Sequence, residues 1–335
     1  MNLPQRISLL TKLGDYMRSS EKGWLEAQEK ASLANGWFVN PFVQNAIEQI
    51  ASCWLQENAL TAWMEAEGIQ STTQQPQKVG LVLAGNIPLV GFHDWLSVFM
   101  VGHHAVIKPS SKDKVLLEHL LQELVKWEPA CQQEIVFAER LAGCDAYIAT
   151  GSNNSSRYFD YYFGKYPHLI RKNKTSAALL TGHESLGDLK NLAKDIHLYF
   201  GLGCRNVTKL YVPVNYDFIP LLEAGKEYGW LADHHKYKNN YDYNLALYIL
   251  NKQFYMTNGT MLLIEEKNHF APVSQLNYEY YSDLEQVHQL TKASPDLQAL
   301  VGLDFIPFGY SQAPALTDYA DGANTIAFLS KKMLN

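Results

Sequence analysis

Several sequence features are scarce in this chain of 335 residues, and each scarcity argues against a class of protein. It has only four cysteines (Cys53, Cys131, Cys144 and Cys204), and none of them forms a C-x-x-C pair. We therefore expect neither a disulfide framework nor a zinc site, and the composition fits a reducing cytoplasm. No apolar run reaches the ~18 residues of a transmembrane span. The N-terminal sequence also lacks the apolar core and cleavage site of a signal peptide.

Basic residues are outnumbered by acidic residues, and they form no basic block. Lysine and arginine total 28 against 34 acidic residues, which gives a net charge of −6. Nucleic acid is therefore not expected as a main partner. The adjacent pairs His103–His104 and His234–His235 point to opposite sides of an extended chain, so no metal site is expected. The chain has no G-x-S-x-G, which disfavours a serine hydrolase, and no G-x-G-x-x-G, the fingerprint of a standard Rossmann fold.

The patterns that are present predict an α/β protein with two lobes. Hydrophobic residues make up 47% of the chain, enough for a large core. Residues 5–70 show helical periodicity. Strand-like and helix-like runs then alternate, which predicts a doubly wound, mostly parallel cofactor domain followed by a second α/β catalytic domain. Strands are predicted near residues 79–84, 104–107, 134–138, 146–149, 176–180, 207–212 and 261–264, and helices near 89–101, 112–126, 152–163 and 184–200.

From these patterns we divide the chain into four segments. A helical layer (1–75) precedes a nucleotide-binding α/β domain (76–182), and a catalytic α/β domain follows (183–304). The C-terminal segment (305–335) ends in an apolar run that is expected to add an edge strand on the cofactor or oligomerisation side. The tyrosine-rich stretch from 228 to 255 is either a substrate-facing wall or ordinary amphipathic packing.

The most informative residue is Cys204, in the run YFGLGCRN at residues 199–206. Gly201 and Gly203 have no side chains that could block access to the sulfur, and a strand-like run follows. A thiolate in such a loop can attack an acyl group or an aldehyde, and nearby backbone N–H groups can face the charge that develops. The alternative is a buried structural cysteine.

Three further motifs each follow or end an apolar, strand-like run. Asn86 and Pro88 form an Asn-x-Pro turn, Lys108 to Ser110 form Lys-Pro-Ser, and Thr150 to Ser152 form Thr-Gly-Ser. Such loops lie at the carboxyl edge of a sheet, where open α/β folds bind ligands. We expect Asn86 to donate a hydrogen bond to an oxyanion formed at Cys204, together with the Cys204 backbone N–H. The alternative is that Asn86 only caps a turn.

The order and spacing of these four motifs resemble the aldehyde dehydrogenase superfamily, and most of all the acyl-CoA reductases of the LuxC type, which supply fatty aldehyde. The resemblance implies that Lys108 contacts the adenosine ribose of a nicotinamide cofactor, with Ser110 beside it. The family often has a glutamate where this chain has Ser111, followed by Lys112. Because this exchange removes repulsion of a 2′-phosphate, NADPH is expected in preference to NADH.

The turn at residues 150–152 is expected to bind the cofactor pyrophosphate, although Ser152 and Lys108 each have an alternative role. Backbone N–H groups at the start of the helix after Thr150, Gly151 and Ser152 can receive a pyrophosphate. Ser152 is otherwise a plain N-cap, and Lys108 a solvated lysine at a strand end.

The chain also departs from the family. Hydrolytic members carry a general-base glutamate in Glu-Leu-Gly-Gly-Lys, but the corresponding residues here, 169–174, read LIRKNK and contain no carboxylate. Hydrolysing a thioester needs a base to activate water, so its absence favours exchange with another thiol such as coenzyme A. A second family glutamate, in Glu-x-Phe-Gly-Pro, is also missing, and the nearest run is NHFAP at 268–272.

These observations favour an enzyme, an NAD(P)H-dependent reductase of acyl-CoA, or an acyl-carrier substrate, acting through an acyl-cysteine. An acyl-phosphate reductase or an aldehyde dehydrogenase on the same scaffold stays open. So does a non-catalytic subunit that binds nucleotide or acylated carrier protein. A homo-oligomer, or a complex with an acyl-transferring enzyme, is compatible with each of these.

Overall fold

A computed structural model describes residues 1–330 of the chain. These residues form two compact units. The first unit contains residues 1–173 and the chain from residue 315 onward, and the second contains residues 174–314. The chain thus leaves the first unit once and returns to it after completing the second.

The described part of the chain alternates between helices and strands. The helices are α1 (Leu3–Met17), α2 (Lys22–Ala34), α3 (Asn40–Gln49), α4 (Glu57–Ala66), α5 (Phe92–Val101), α6 (Val115–Trp127), α7 (Cys131–Glu134), α8 (Asn153–Phe163), α9 (Leu186–His197), α10 (Ile219–Ala224), α11 (His235–Leu250), α12 (Leu284–Ala293) and α13 (Thr325–Ser330). The strands are β1 (Lys78–Val82), β2 (His104–Lys108), β3 (Ile135–Phe137), β4 (Ala146–Thr150), β5 (His168–Arg171), β6 (Thr175–Leu179), β7 (Val207–Pro213), β8 (Met256–Thr257), β9 (Leu262–Glu265), β10 (Gln275–Tyr281) and β11 (Leu297–Gly302).

The first unit is built on a parallel sheet with strand order β3-β2-β1-β4-β5. Its central strand β1 buries Val79 and Leu81 completely, as expected for a parallel sheet covered on both faces. Helices α1 to α6 supply apolar residues such as Leu10 and Trp24 to the core that contains Leu81. The predicted doubly wound sheet is therefore present.

The second unit holds a six-stranded sheet with order β11-β6-β7-β10-β9-β8. All its neighbouring strands run parallel except β8, which pairs antiparallel with β9. One face packs its apolar residues, among them Leu210 and Leu276, against Leu192 of α9 and Leu221 of α10. The second lobe belongs to the predicted α/β class, although β8, β10 and β11 were not predicted.

One predicted strand joins a different sheet from the one we expected. The strand near 176–180 exists as β6, but it pairs with β7 and β11 rather than with the first sheet. The division between units therefore falls at 173/174, upstream of the predicted 182/183. Hydrophobic patterning identifies a buried strand but not its neighbours, because parallel partners are distant in sequence.

The prediction of a C-terminal edge strand is wrong for the described residues. Thr325–Ser330 form helix α13, which buries Ile326 and Leu329, three residues apart on one helical face, in the core of the first unit. Residues 331–335 of the predicted segment lie outside the described residues. Within residues 1–330, no helix combines the length and apolar character needed to cross a membrane.

Candidate active site

The carboxyl edge of the first sheet brings three of the predicted motifs together. Val82 at the end of β1 is in register with Lys108 at the end of β2 and with Ala149 in β4. The loops that follow these strands therefore leave from one edge. Strand β1 lies between β2 and β4, so the order of successive strands reverses there, and open α/β sheets bind ligands at such a point.

The loop after β1 lies directly on the loop after β2. A Cβ atom on Gly85 would stand only 2.5 Å from Ser110 Oγ and 3.1 Å from the Asp113 backbone nitrogen. Only glycine permits this approach. Asn86, the next residue, is exposed, as is Lys108, while Ser110 is half-buried. The structure thus places Asn86 and Ser110 in touching loops at one sheet edge.

Asp113 is a residue of this region that sequence reasoning missed. Its buried carboxylate accepts hydrogen bonds from the backbone N–H groups of Leu89 and Val90, which follow the Asn86 turn, while its Oδ1 atom is buried without a partner. Burial raises the pKa of Asp113 to about 7, against these hydrogen bonds, which act to lower it. Leu89 adopts a left-handed backbone with φ of 57°. Asp113 therefore supports a strained turn next to Asn86.

The turn from Thr150 to Ser152 opens helix α8. Ser152 Oγ accepts a hydrogen bond of 3.3 Å from the Ser155 N–H, so the N-cap interpretation is confirmed. A Cβ atom on Gly151 would lie 2.8 Å from the ring of Phe159, which leaves no space for a side chain. The hydroxyl oxygen of Thr150 is buried without a hydrogen-bond partner. The turn therefore offers an unsatisfied hydroxyl and a helix start beside the sheet edge.

The stretch in which hydrolytic relatives carry a base is built around a buried cation. Arg171 at the end of β5 forms an ion pair with Asp94 of α5, and both side chains are only 5% exposed. Arg171 also donates a hydrogen bond of 2.7 Å to Thr325 Oγ1. This position therefore holds a structural ion pair within the first unit.

In the second unit, Cys204 lies on a tight turn of residues 203–206. The Asn206 N–H donates to the Gly203 carbonyl at 3.0 Å, and the Gly203 N–H donates back to the Asn206 side-chain oxygen at 2.8 Å. Cys204 occupies the second position of this turn and is half-buried. Its carbonyl accepts a hydrogen bond of 3.0 Å from the Ser176 hydroxyl. The cysteine is therefore accessible, although the backbone around it is fixed by buried polar groups.

The chain enters this turn through a strained segment. Tyr199, Phe200 and Gly201 all have left-handed φ values, of 54°, 58° and 73°. Such a conformation costs about 1–2 kcal/mol for a residue with a side chain. Phe200 is buried, and its ring centroid lies 4.5 Å from that of His234 and 5.6 Å from that of Tyr237, both in the tyrosine-rich stretch. Packing against this stretch therefore compensates for strain next to the Cys204 turn.

The other three cysteines are poor candidates for a nucleophile. Burial raises the pKa of Cys131 to about 12 and also raises the pKa of Cys144. The pKa of Cys53 is raised by desolvation and by nearby Glu48. A thiol with a raised pKa carries less thiolate at neutral pH and reacts more slowly.

Lys209 could assist the thiolate of Cys204, and Glu184 could act as a base, but both side chains have other partners. The fully buried ammonium of Lys209 forms an ion pair of 3.1 Å with Glu279 and also donates to the Glu266 carbonyl. Burial lowers the pKa of Lys209. Glu184 accepts hydrogen bonds from the Thr181 hydroxyl at 2.9 Å and from the Gly182 N–H at 3.1 Å. Lys209 therefore stabilises the sheet, and Glu184 closes its own turn.

The run at 268–272, which stands nearest to the second missing family glutamate, offers no carboxylate. His269 Nε2 and the Tyr211 hydroxyl share a hydrogen bond of 2.8 Å. Burial and the neighbouring Lys209 lower the pKa of His269. Among residues 1–330, no group of three histidine, cysteine, aspartate or glutamate side chains is arranged to hold a metal ion.

Comparison with protein families identifies the chain. Its sequence matches the family "Acyl-CoA reductase (LuxC)" over residues 37–215, which is more than half of its length. The chain belongs to the LuxC acyl-CoA reductase family. The matched range contains Asn86, Lys108, Ser110, the 150–152 turn and Cys204. No curated protein matches the chain by sequence.

Solved structures confirm the fold of this LuxC-family chain. The P. syringae indole-3-acetaldehyde dehydrogenase AldA, solved with NAD+ and IAA, is 13% identical with a TM-score of 0.64, over 89% of this chain and 71% of its own. An NAD-dependent aldehyde dehydrogenase from Burkholderia multivorans is 13% identical with a TM-score of 0.64, over 98% and 78%. An E. coli NADP-dependent enzyme is 13% identical with a TM-score of 0.65, over 90% and 73%. The chain therefore has the aldehyde dehydrogenase fold.

Proposed function

We propose that this chain reduces a fatty acyl-CoA thioester to an aldehyde through an acyl group carried on Cys204, with NADPH as the reductant. The observation that carries the proposal is the setting of Cys204. It is half-buried and lies on a turn closed by hydrogen bonds, whereas Cys131 and Cys144 are buried and burial raises their pKa values. None of the four cysteines forms a disulfide, which fits the reducing cytoplasm we propose as its location.

The reaction has two halves. In the first, the Cys204 thiolate attacks the thioester carbonyl carbon, the bond from that carbon to the coenzyme A sulfur breaks, and coenzyme A leaves as a thiol after taking up a proton. When bound, the nicotinamide cofactor supplies a hydride to the acyl carbon. The carbonyl then re-forms as the Cys204 sulfur leaves, and the product is an aldehyde. Asn86 is the proposed donor to the negative oxygen that forms in each half.

The residues of the first unit fit a dinucleotide. The buried Thr150 hydroxyl lacks a partner, the Gly151 and Gly85 positions have no room for side chains, and α8 begins at the same edge. A pyrophosphate at this edge would receive the N–H groups at the start of the helix. Lys108 is exposed at the end of β2, on the same edge of the sheet, and is the residue proposed to contact the adenosine ribose.

Selectivity for NADPH is proposed from residues 111 and 112. Ser111 and Lys112 are both exposed beyond the strand end, so a 2′-phosphate there would meet a cation and no carboxylate. The solved relatives include structures described with NAD+ and with NADP+, so the fold accommodates either cofactor.

The acyl group on Cys204 is expected to be passed to a thiol or reduced by hydride rather than hydrolysed. Residues 169–174 contain no carboxylate, and Arg171 within them is paired with Asp94. Glu184, the nearest acidic residue beyond that run, is bound to its own turn. Without a positioned base, attack by water on the acyl-enzyme should be slow.

The direct test compares substrates. Purified protein is incubated with NADPH and a panel of acyl-CoAs or the matching acyl phosphates, while aldehyde and free coenzyme A are measured. The proposal requires aldehyde and coenzyme A in equal amounts from acyl-CoA. Turnover of acyl phosphates alone would support the acyl-phosphate reductase, and no turnover of either would support a non-catalytic subunit.

A further inference from the structure

We propose that Asn206 is a positioning residue that fixes the Cys204 turn in the geometry required for attack on the acyl carbon. The inference rests on the proposed function of Cys204. Asn206 itself is fully buried. It lies two residues beyond the cysteine and closes the turn on both sides, through its backbone N–H and through its side-chain oxygen.

The side-chain nitrogen of Asn206 binds the end of helix α9. It donates to the carbonyls of Asp195 at 3.0 Å, Ile196 at 3.4 Å and Leu198 at 2.8 Å. The last carbonyls of a helix have no partner within the helix. One amide therefore satisfies the C-terminal end of α9 while its oxygen holds Gly203, and the turn cannot shift without leaving buried carbonyls unsatisfied.

The end of α9 is itself held in place. The buried carboxylate of Asp195 accepts hydrogen bonds from the N–H groups of Gly309 and Ser311 and from the Ser311 hydroxyl, at 2.6, 3.0 and 2.7 Å. Asn206 therefore connects the Cys204 turn to a helix end that a separate loop of the same unit restrains.

Strand β6 restrains the turn from the other side. The Ser176 N–H donates to the Asn206 carbonyl at 3.1 Å, and the Ser176 hydroxyl donates to the Cys204 carbonyl at 3.0 Å. Ser176 is fully buried. Together, Asn206 and Ser176 fix the peptide groups on both sides of the Cys204 Cα, and with them the direction of the Cα–Cβ bond that carries the thiol.

Positioning predicts a specific kinetic effect. A sulfur displaced by about 1 Å loses alignment with a bound carbonyl and can slow the reaction on the order of 100-fold. A small, freely diffusing alkylating agent makes no such demand. The acylation rate should therefore fall in Asn206→Ala while the rate of alkylation changes little. Because an unfolded chain would also stay open to alkylation, the same variant must keep the far-UV circular dichroism and thermal stability of the wild type.

The experiment measures single-turnover acylation of Cys204 by mass spectrometry, with a panel of acyl-CoAs from acetyl to hexadecanoyl and no reductant. Iodoacetamide alkylation of the same residue is measured in parallel. We expect Asn206→Ala to slow acylation on the order of 100-fold and alkylation by less than about threefold. The matched control is Asn244→Ala, which removes a buried asparagine of α11 that donates to the Val273 carbonyl. It should acylate like the wild type.

A milder pair of variants keeps the test decisive if Asn206→Ala fails to fold. Ser176→Ala removes only the hydrogen bond to the Cys204 carbonyl and should slow acylation about tenfold, and Ser176→Thr should restore it. Normal acylation in folded Asn206→Ala, or in Ser176→Ala, would overturn this inference alone. A wild-type protein that no acyl-CoA acylates would instead overturn the proposed function, and the inference with it.

Discussion

At the scale of single residues, the surroundings of Cys204 differ from those of the other three cysteines. The Cys204 turn is half-buried and fixed by hydrogen bonds, whereas burial raises the pKa of Cys131 to about 12. We predict that Cys204→Ala abolishes acyl transfer from acyl-CoA while far-UV circular dichroism and thermal stability stay unchanged. Cys53→Ala, at an exposed site, is the matched control and should keep full activity. A covalent acyl adduct on Cys204→Ala would refute the assignment.

Asn86 carries a second prediction at this scale. Asn86→Ala should lower kcat by about 100-fold or more with little change in cofactor affinity, because an oxyanion donor acts mainly in the transition state. Steady-state kinetics and a cofactor titration measure the two effects separately. Unchanged turnover would mean that Asn86 only shapes the turn before Pro88.

The candidate site residues could be proposed from the sequence because each lies in a short motif of residue types that are typical of ligand-binding or reactive loops. Glycine, asparagine and cysteine at the ends of strand-like runs identify the sheet edge in the first unit and the loop in the second. Asp113 and Asn206 were missed, since each acts through backbone groups rather than through a motif. The Asn206 side chain binds carbonyls 8 to 11 residues upstream, and no local pattern encodes that contact.

At the scale of elements, Asp113 couples the start of the α6 region to the Asn86 turn. Its pKa of about 7 in the folded protein lies above its ordinary value of 3.8. Between these values the folded state binds more protons than the unfolded state, so this group's contribution to stability is present at acid pH and is lost as the pH rises towards 7.

Asp113→Asn should therefore stabilise the protein more at pH 8 than at pH 5. The amide oxygen can still accept the hydrogen bonds from Leu89 and Val90, while the cost of burying a charge disappears. We expect a gain in the free energy of unfolding on the order of 4 kcal/mol at pH 8 and less than half as much at pH 5, since burial raises the pKa from 3.8 to about 7. Urea denaturation at both pH values measures it. An equal change at both would show that burial does not raise this pKa.

The Arg171–Asp94 pair joins the end of β5 to α5. Because both side chains are only 5% exposed, removing one partner leaves a buried charge uncompensated. Asp94→Ala should lower the free energy of unfolding by about 3–5 kcal/mol. The double variant Asp94→Leu/Arg171→Met should lose much less than the sum of the single changes, since it buries no charge. Additive losses in chemical denaturation would contradict this account.

Elements were predicted better as individual segments than as members of a sheet. The helices near 112–126 and 152–163 are found as Val115–Trp127 and Asn153–Phe163. Strand β6 was located but placed in the wrong sheet, and Thr325–Ser330 proved helical. Sheet membership depends on pairing between distant segments, and a short apolar run such as 325–330 suits a helix or a strand equally.

At the scale of the whole molecule, the second unit interrupts the first. The returning chain is fixed by specific contacts, because Tyr319 hydrogen-bonds to Trp63 and to Glu67, and Asn324 donates to Glu67. The resemblance to the aldehyde dehydrogenases predicted two α/β domains, and the fold confirms them. This return was not predictable, since it depends on partners more than 250 residues apart.

The central claim is that Cys204 carries an acyl group that hydride, rather than water, discharges. The most direct test incubates the protein with an acyl-CoA panel without reductant, identifies the modified peptide by mass spectrometry, and then adds NADPH. We predict one acyl group on the peptide containing Cys204, stable until NADPH converts it to aldehyde, and returned to coenzyme A when that thiol is added. Release of free fatty acid from the isolated acyl-enzyme, at a rate near the reductive turnover, would contradict the account.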